Sequence, residues 1–242
     1  MNRREALFSL GTIAASLAVA PGLGAVELKG VPHDTQLSDD HMPQPAIRIG
    51  GFLVLSEAER RTLGALYDRL LPADEYGPSA TEAGCLEFID SQLAGHYGAG
   101  KALYLEGPIR PESELQLMGT TQFLASPLER YRSGLAALEA YAQRVDGQHL
   151  ADLPAEWIDA LLGELEAGRL DLGPAINSKG LFELLLQNVR EGYLADPMYG
   201  GNRNMAGWKM IGFPGARYDY RPYIDRRGEN LRLIPVSLIP AD

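Results

Sequence analysis

The chain of 242 residues contains one cysteine, Cys85. A single thiol excludes an internal disulfide, a four-cysteine zinc site, an iron–sulfur cluster and a C-x-x-C-H haem attachment. Positive charge is also in deficit, with 22 Lys and Arg against 32 Asp and Glu, a net charge of −10 and a pI of about 4.9. Such a chain gains nothing from counterion release on a polyanion, which argues against nucleic acid as a partner. Histidine is scarce: of His33, His41, His96 and His149, none is followed by a second histidine at helical spacing. Neither a G-x-S-x-G nucleophile turn nor a G-x-G-x-x-G nucleotide fingerprint occurs, and no internal repeat is visible. What remains is 45% hydrophobic and 22% charged, the composition of one globular domain able to bury its own core.

The first 25 residues read as a leader. Arg3 and Arg4 precede a stretch that carries no charge from Leu7 to Val26. A twin arginine before a mildly apolar segment resembles a Tat export signal, which carries folded cargo; an ordinary Sec signal or an N-terminal membrane helix is the alternative. Ala18-Val19-Ala20 has the small-x-small form of a cleavage site, but Pro21 follows it. Left uncut, an apolar run of about 19 residues is just long enough to span a bilayer. Residues 26–54, with Pro32, Pro43 and Pro45, read as a linker.

From residue 55 onward the pattern predicts an all-α domain of four to six helices, an irregular bundle with a long, largely irregular C-terminal segment. Ser56 and Glu59 suit a capping box, Leu63, Leu66, Tyr67 and Leu70 share a face, and Pro72 stops the first helix. A second helix is expected from about Thr81, with Cys85, Phe88, Ile89 and Leu93 at helical spacing up to Gly95. Ser126-Pro127-Leu128-Glu129 announces a third, with Tyr131, Leu135, Leu138 and Tyr141 as its stripe. Pro154 to Gly168 and the segment from Ser178 supply two more, carrying Trp157, Leu161, Leu162 and Leu165, then Leu181, Leu184, Leu185 and Val189. Residues 99–124, where Glu114 to Met118 suits a turn, and the Gly-, Pro-, Tyr- and Arg-rich end have no sustained period. Leu231 to Ile234 suits a short strand, but Pro222, Pro235 and Pro240 argue against a central sheet.

Two tempting motifs fail on physical grounds. Gly95 to Lys101 fits G-x-x-x-x-G-K, but Ala102 stands where a phosphate loop needs Ser or Thr, and a helix precedes it where a strand is required. Glu156, Asp159, Glu164 and Glu166 gather on one helix, which a solvated face explains without chemistry. Cys85 falls on an apolar stripe, so an inert buried thiol is the first expectation and a disulfide to another chain the second.

The most informative stretch runs from Gly192 to Gly215. It turns at Asp196-Pro197 and Gly200-Gly201-Asn202, then places aromatic residues between glycines. Tyr199, Asn202, Trp208, Lys209 and Phe213 are its candidate partner-contacting residues, with closure of the domain's own core as the competing reading.

Asp196-Pro197-x-Tyr199-Gly200-Gly201-Asn202, followed by Gly207-Trp208-Lys209-x-Ile211-Gly212-Phe213-Pro214-Gly215, resembles the signature of the gluconate 2-dehydrogenase subunit 3 family. Tyr67-Asp68-Arg69-Leu70-Leu71-Pro72, with Ala83-Gly84 and Phe88-Ile89-Asp90, is similar to that family's first motif. The resemblance implies the small, cofactor-free subunit of a membrane-associated dehydrogenase complex in the periplasm. Its partners would be an FAD-bearing subunit of the glucose–methanol–choline type and a cytochrome c subunit carrying haem. The small subunit would escort the flavin subunit, which must be exported folded, through the Tat translocase. The family has no catalytic residues to carry over, and specificity among gluconate, 2-ketogluconate, fructose, sorbitol and glucose would lie in the flavin chain. A self-standing periplasmic enzyme and a leader-anchored binding or scaffold protein are the competing classes, and the first of these lacks a nucleophile–base pair in the sequence.

Overall fold

Asp90 ties the start of the domain to its interior. Its carboxylate accepts three successive backbone N–H groups, from Leu53 at 2.6 Å, Val54 at 3.0 Å and Leu55 at 2.9 Å, and the residue is wholly buried. The computed structural model describes residues 51–101, 103, 123–217, 219–229, 231 and 233–238, all within the unit Met42–Asp242. The leader, with Arg3 and Arg4, and the expected linker up to residue 50 lie outside the described residues, as does the turn expected at Glu114 to Met118. The last expected linker residues are not loose: Asp90 pins them, and Phe52 lies under the Arg60 guanidinium, 4.5 Å from ring centroid to Cζ.

Among the described residues six α-helices follow: α1 Glu57–Leu70, α2 Cys85–Ala94, α3 Pro127–Asp146, α4 Ala155–Glu166, α5 Ser178–Leu194 and α6 Ala206–Ile211. The fold is all-α, and among the described residues there is no strand, only an isolated parallel bridge between Gly215 and Val236. Leu231 to Ile234 therefore forms no ladder in its described positions.

Local chemistry sets most helix ends. Ser56 and Glu59 cap each other's backbone amides at the start of α1, and Ser126 and Glu129 do the same for α3, with Pro127 in its first turn. Asn177 caps α5 by accepting from the Gly180 N–H. The second helix begins four residues later than its periodicity suggests. Asp68 holds both the backbone N–H (2.8 Å) and the hydroxyl (2.7 Å) of Thr81, and Gly84 sits at φ +85°, so residues 80–84 turn before Cys85 starts α2. Gly95 to Lys101 is a run of turns after a helix, not a phosphate cradle.

Helix α1 packs against α2, α3, α4 and α5, and α5 in turn touches α2, α3, α4 and α6. The expected stripes point inward: Leu63, Leu66, Ile89, Leu93, Leu138, Leu165, Leu185 and Val189 are essentially inaccessible, each contributing about 1.5–3 kcal/mol of apolar burial. Trp157 and Tyr141 are only partly buried, while Ile158 enters the core in their place. The carboxylates of α4 form surface ion pairs, Asp159 with Arg69 at 2.6 Å and Glu164 with Arg169 at 2.7 Å, each worth little in water.

The core also holds a polar chain. The Tyr67 and Tyr131 hydroxyls lie 2.8 Å apart, Tyr131 and Tyr97 both donate to Asn188 Oδ1 at 3.0 and 2.9 Å, and Asn188 Nδ2 donates to Glu191 at 2.9 Å. Each buried polar group thus has a partner, the condition for burying it without a large penalty. Burial pushes the Tyr67 and Tyr131 phenols well above their ordinary value of 10.0.

Asp90→Ala leaves three amides without an ionised acceptor and is expected to cost about 3 kcal/mol in urea unfolding; an unchanged midpoint would refute the pinning role. Alkali supplies a second test. Burial also holds the Cys85 thiol up to about 12 from its ordinary 9.0. The unfolded chain releases these protons from pH 9.0 for the thiol and 10.0 for the phenols, while the folded chain keeps them. Stability should therefore be level through neutral pH and fall above pH 9.0, by about 1.4 kcal/mol per pH unit for each group in its window. Tyr131→Phe should flatten that decline in melting temperature.

Candidate partner interface

A helix leaves its last carbonyls without intrahelical partners. At the end of α5 these carbonyls are met by the segment that follows. The chain leaves α5 at Ala195, makes a 3-10 turn over Pro197–Tyr199 and reverses at Gly200, whose φ is +94°. Asn202, wholly buried, donates from Nδ2 to the Ala195 carbonyl at 2.7 Å and accepts the Gly207 N–H at Oδ1 at 2.8 Å. The Trp208 indole N–H donates to the Leu194 carbonyl at 2.7 Å.

Between these bonds the backbone lies directly on the helix end. A Cβ at Gly201 would stand 2.1 Å from the Gly192 oxygen, and one at Gly207 only 2.0 Å from the Tyr193 oxygen. Only glycine permits that approach. Asn202, Asn204 and Met205 all adopt left-handed backbone, at φ +46°, +55° and +55°. Such positions cost of order 1–3 kcal/mol each unless their surroundings hold them, and Asn tolerates them best.

The other side of this clasp rests on the turn before α2. Arg203 donates its backbone N–H to the Ala83 carbonyl at 3.0 Å and its guanidinium to Glu87 at 2.6 Å. A Cβ at Gly84 would sit 2.7 Å from the Gly200 oxygen. The Ala83-Gly84 pair and the Gly-Gly-Asn turn, well over 100 residues apart in sequence, are thus one contact.

Residues 57–215 match the family described as gluconate 2-dehydrogenase subunit 3. The chain belongs to that family. Comparison with curated proteins and with solved structures gave no match. The match begins at the first residue of α1 and ends at Gly215, where the clasp ends, so it spans both halves of that contact.

Within this family member, the five candidate residues divide. Asn202 and Trp208 are turned into the clasp, with Trp208 only 5% exposed, so their side chains bind their own chain and are not presented to a partner. Tyr199, Lys209 and Phe213 are exposed. Phe213 stands edge-on to Trp208, ring centroids 5.2 Å apart, with its outer face open. Beside them the sequence reading missed Leu194, Met210 and Ile211, which are 39%, 41% and 55% exposed. Met210 and Ile211 follow Trp208 on a six-residue helix, too short to have a readable period, and Leu194 is the last residue of α5. A groove of about 880 Å³ lies along α5, lined among others by Phe88, Glu183, Leu186, Arg190, Leu194 and Tyr199.

Cys85 has no exposure, and its Sγ lies 3.7 Å from the Val189 carbonyl. A thiol so placed is a core group, and a disulfide to another chain would require α2 to part from α5. Among the described residues no three His, Cys, Asp or Glu side chains gather where they could hold a metal ion. His149 pairs with Glu139 at 2.5 Å on the surface.

Gly207→Ala is expected to destabilise the fold by about 2 kcal/mol or more, because the backbone oxygen it meets cannot yield, and to speed labelling of Cys85 by a maleimide. Gly163→Ala, where a Cβ meets nothing within 4 Å, is the matched control and should be neutral or slightly stabilising. Equal labelling rates in the two variants would show that the clasp does not seal the contact between α2 and α5.

Proposed function

We propose that this chain is the non-catalytic small subunit of a periplasmic, membrane-associated, FAD-dependent dehydrogenase complex of the gluconate 2-dehydrogenase type, required for folding, Tat co-export and stability of the flavin subunit. The observation that carries the reading is the family match over residues 57–215. The surface supports it: a rigid clasp holds Leu194, Tyr199, Met210, Ile211 and Phe213 outward as a group of large apolar side chains. Large exposed apolar side chains on a well-packed domain are ones that a partner protein can cover.

The physical task of such a subunit is burial, not chemistry. FAD is inserted into the large subunit before export, so that subunit must cross the membrane folded. A partner that binds only its native form stabilises it by mass action and supplies the twin-arginine address of Arg3 and Arg4. The hydride acceptor and the electron carrier, FAD and haem c, belong to the partner subunits in this reading, and the sugar or sugar-acid substrate is chosen there.

The test is expression of the tagged full-length chain in its native host. A flavoprotein should co-purify in stoichiometric amount, with its FAD absorbance, and Arg3→Lys with Arg4→Lys should remove both proteins from the periplasm. Recovery of the chain alone, monodisperse and folded, would overturn the proposal and favour a self-standing periplasmic protein.

A further inference from the structure

Past the family match, the chain forms a second exposed element. Its base is closed: the Ala216 N–H donates to the Val236 carbonyl at 2.7 Å, and the Val236 N–H to the Pro214 carbonyl at 3.3 Å. Asp196 completes the closure, accepting from the Ser237 hydroxyl at 2.8 Å and the Leu238 N–H at 3.0 Å. The same carboxylate caps the Pro197–Tyr199 turn through the Met198 N–H. The described residues between 216 and 238 therefore form an arm stapled to the clasp, and one side chain joins it to the exposed Tyr199.

The arm differs from the domain in charge and in what it exposes. Residues 51–215 carry 13 basic against 23 acidic side chains, a net −10, whereas residues 216–238 carry five arginines against three acids, a net +2. Tyr220, Ile224, Ile234 and Val236 are 44%, 57%, 76% and 43% exposed, and Ile234 is the most exposed large apolar side chain among the described residues. Arginine and tyrosine around exposed aliphatic groups are the composition of a protein-binding surface.

We infer that the arm is a docking element for an acidic face of the flavin subunit, extending the clasp surface so that one partner covers both. This rests on the function proposed above. The fit is electrostatic and apolar together: the partner would present carboxylates around an apolar patch that receives Ile224 and Ile234. A protein face is favoured over a lipid surface because Asp196 joins the arm to the clasp, whose exposed Tyr199 and Phe213 belong to the surface assigned above to the flavin subunit. The arginines steer and select an acidic partner, while the aliphatic residues supply contact.

The experiment uses full-length tagged chains purified from the native host. Arg227→Glu with Ile234→Ser is compared with wild type and with the milder Arg227→Gln. Circular dichroism and melting temperature verify folding, and bound FAD per chain is followed through a salt series. The double variant should fold normally yet bind the flavin subunit at least tenfold more weakly, with Arg227→Gln intermediate and chiefly altered in its salt dependence. Wild-type FAD content in the folded double variant, at every salt concentration, overturns the arm alone. Loss of binding to vesicles containing phosphatidylglycerol, with FAD unchanged, would reassign the arm to the membrane; loss of a self-dimer, with FAD unchanged, to a second copy of this chain. A wild-type chain free of FAD overturns the subunit reading itself, and the arm with it.

Discussion

The last turn of α5 is the constraint on which the functional end of the molecule depends. Its final carbonyls point away from the helix with nothing inside the helix to bond them, and a buried carbonyl left bare costs about as much as a lost hydrogen bond. Asn202 and Trp208 answer two of them from seven and fourteen residues downstream, and Gly201 and Gly207 bring the backbone close enough for that to happen. Three left-handed non-glycine residues are tolerated in the same loop because these bonds leave no room for a relaxed alternative. Once the clasp is closed it presses Gly200 on Gly84 and Arg203 on Ala83, and so fastens the start of α2 to the end of α5. Outward display of Tyr199, Met210 and Phe213 is a by-product of that closure.

The interior is arranged for permanence. Tyr67, Tyr131 and Asn188 bond one another, Asp90 absorbs three amides, and Cys85 is sealed. Burial raises the affinity of the thiol and the phenols for their protons, so they stay protonated near neutral pH, and a protonated thiol is a poor nucleophile. The groove along α5 mixes leucine, phenylalanine and tyrosine with glutamine, glutamate and arginine.

Much of the helical layout was legible because its causes are local. Ser56 with Glu59 and Ser126 with Glu129 are reciprocal caps readable at a spacing of three, and the stripes of α1, α2, α3 and α5 repeat at the helix period. The early start expected for α2 was an error of the same method. Periodicity ran smoothly back to Thr81, but Asp68, thirteen residues upstream, claims both polar groups of Thr81 and holds it in a turn. The family signature was legible too, as a string of residue types.

The sequence by itself determined the all-α class, the helix caps, the inward faces and membership of a family whose signature is rich in glycine. Each of these follows from neighbours within a turn or two, or from the identity of the residues alone. Only the tertiary structure decided that Asn202 and Trp208 turn inward while Tyr199, Lys209 and Phe213 turn outward, that Ala83-Gly84 and Gly200-Gly201-Asn202 form one contact, and that Asp196 joins the C-terminal arm to the clasp. In a segment without a regular period, the direction of a side chain is set by which distant carbonyl or amide it must satisfy, and that partner exists only once the chain has folded.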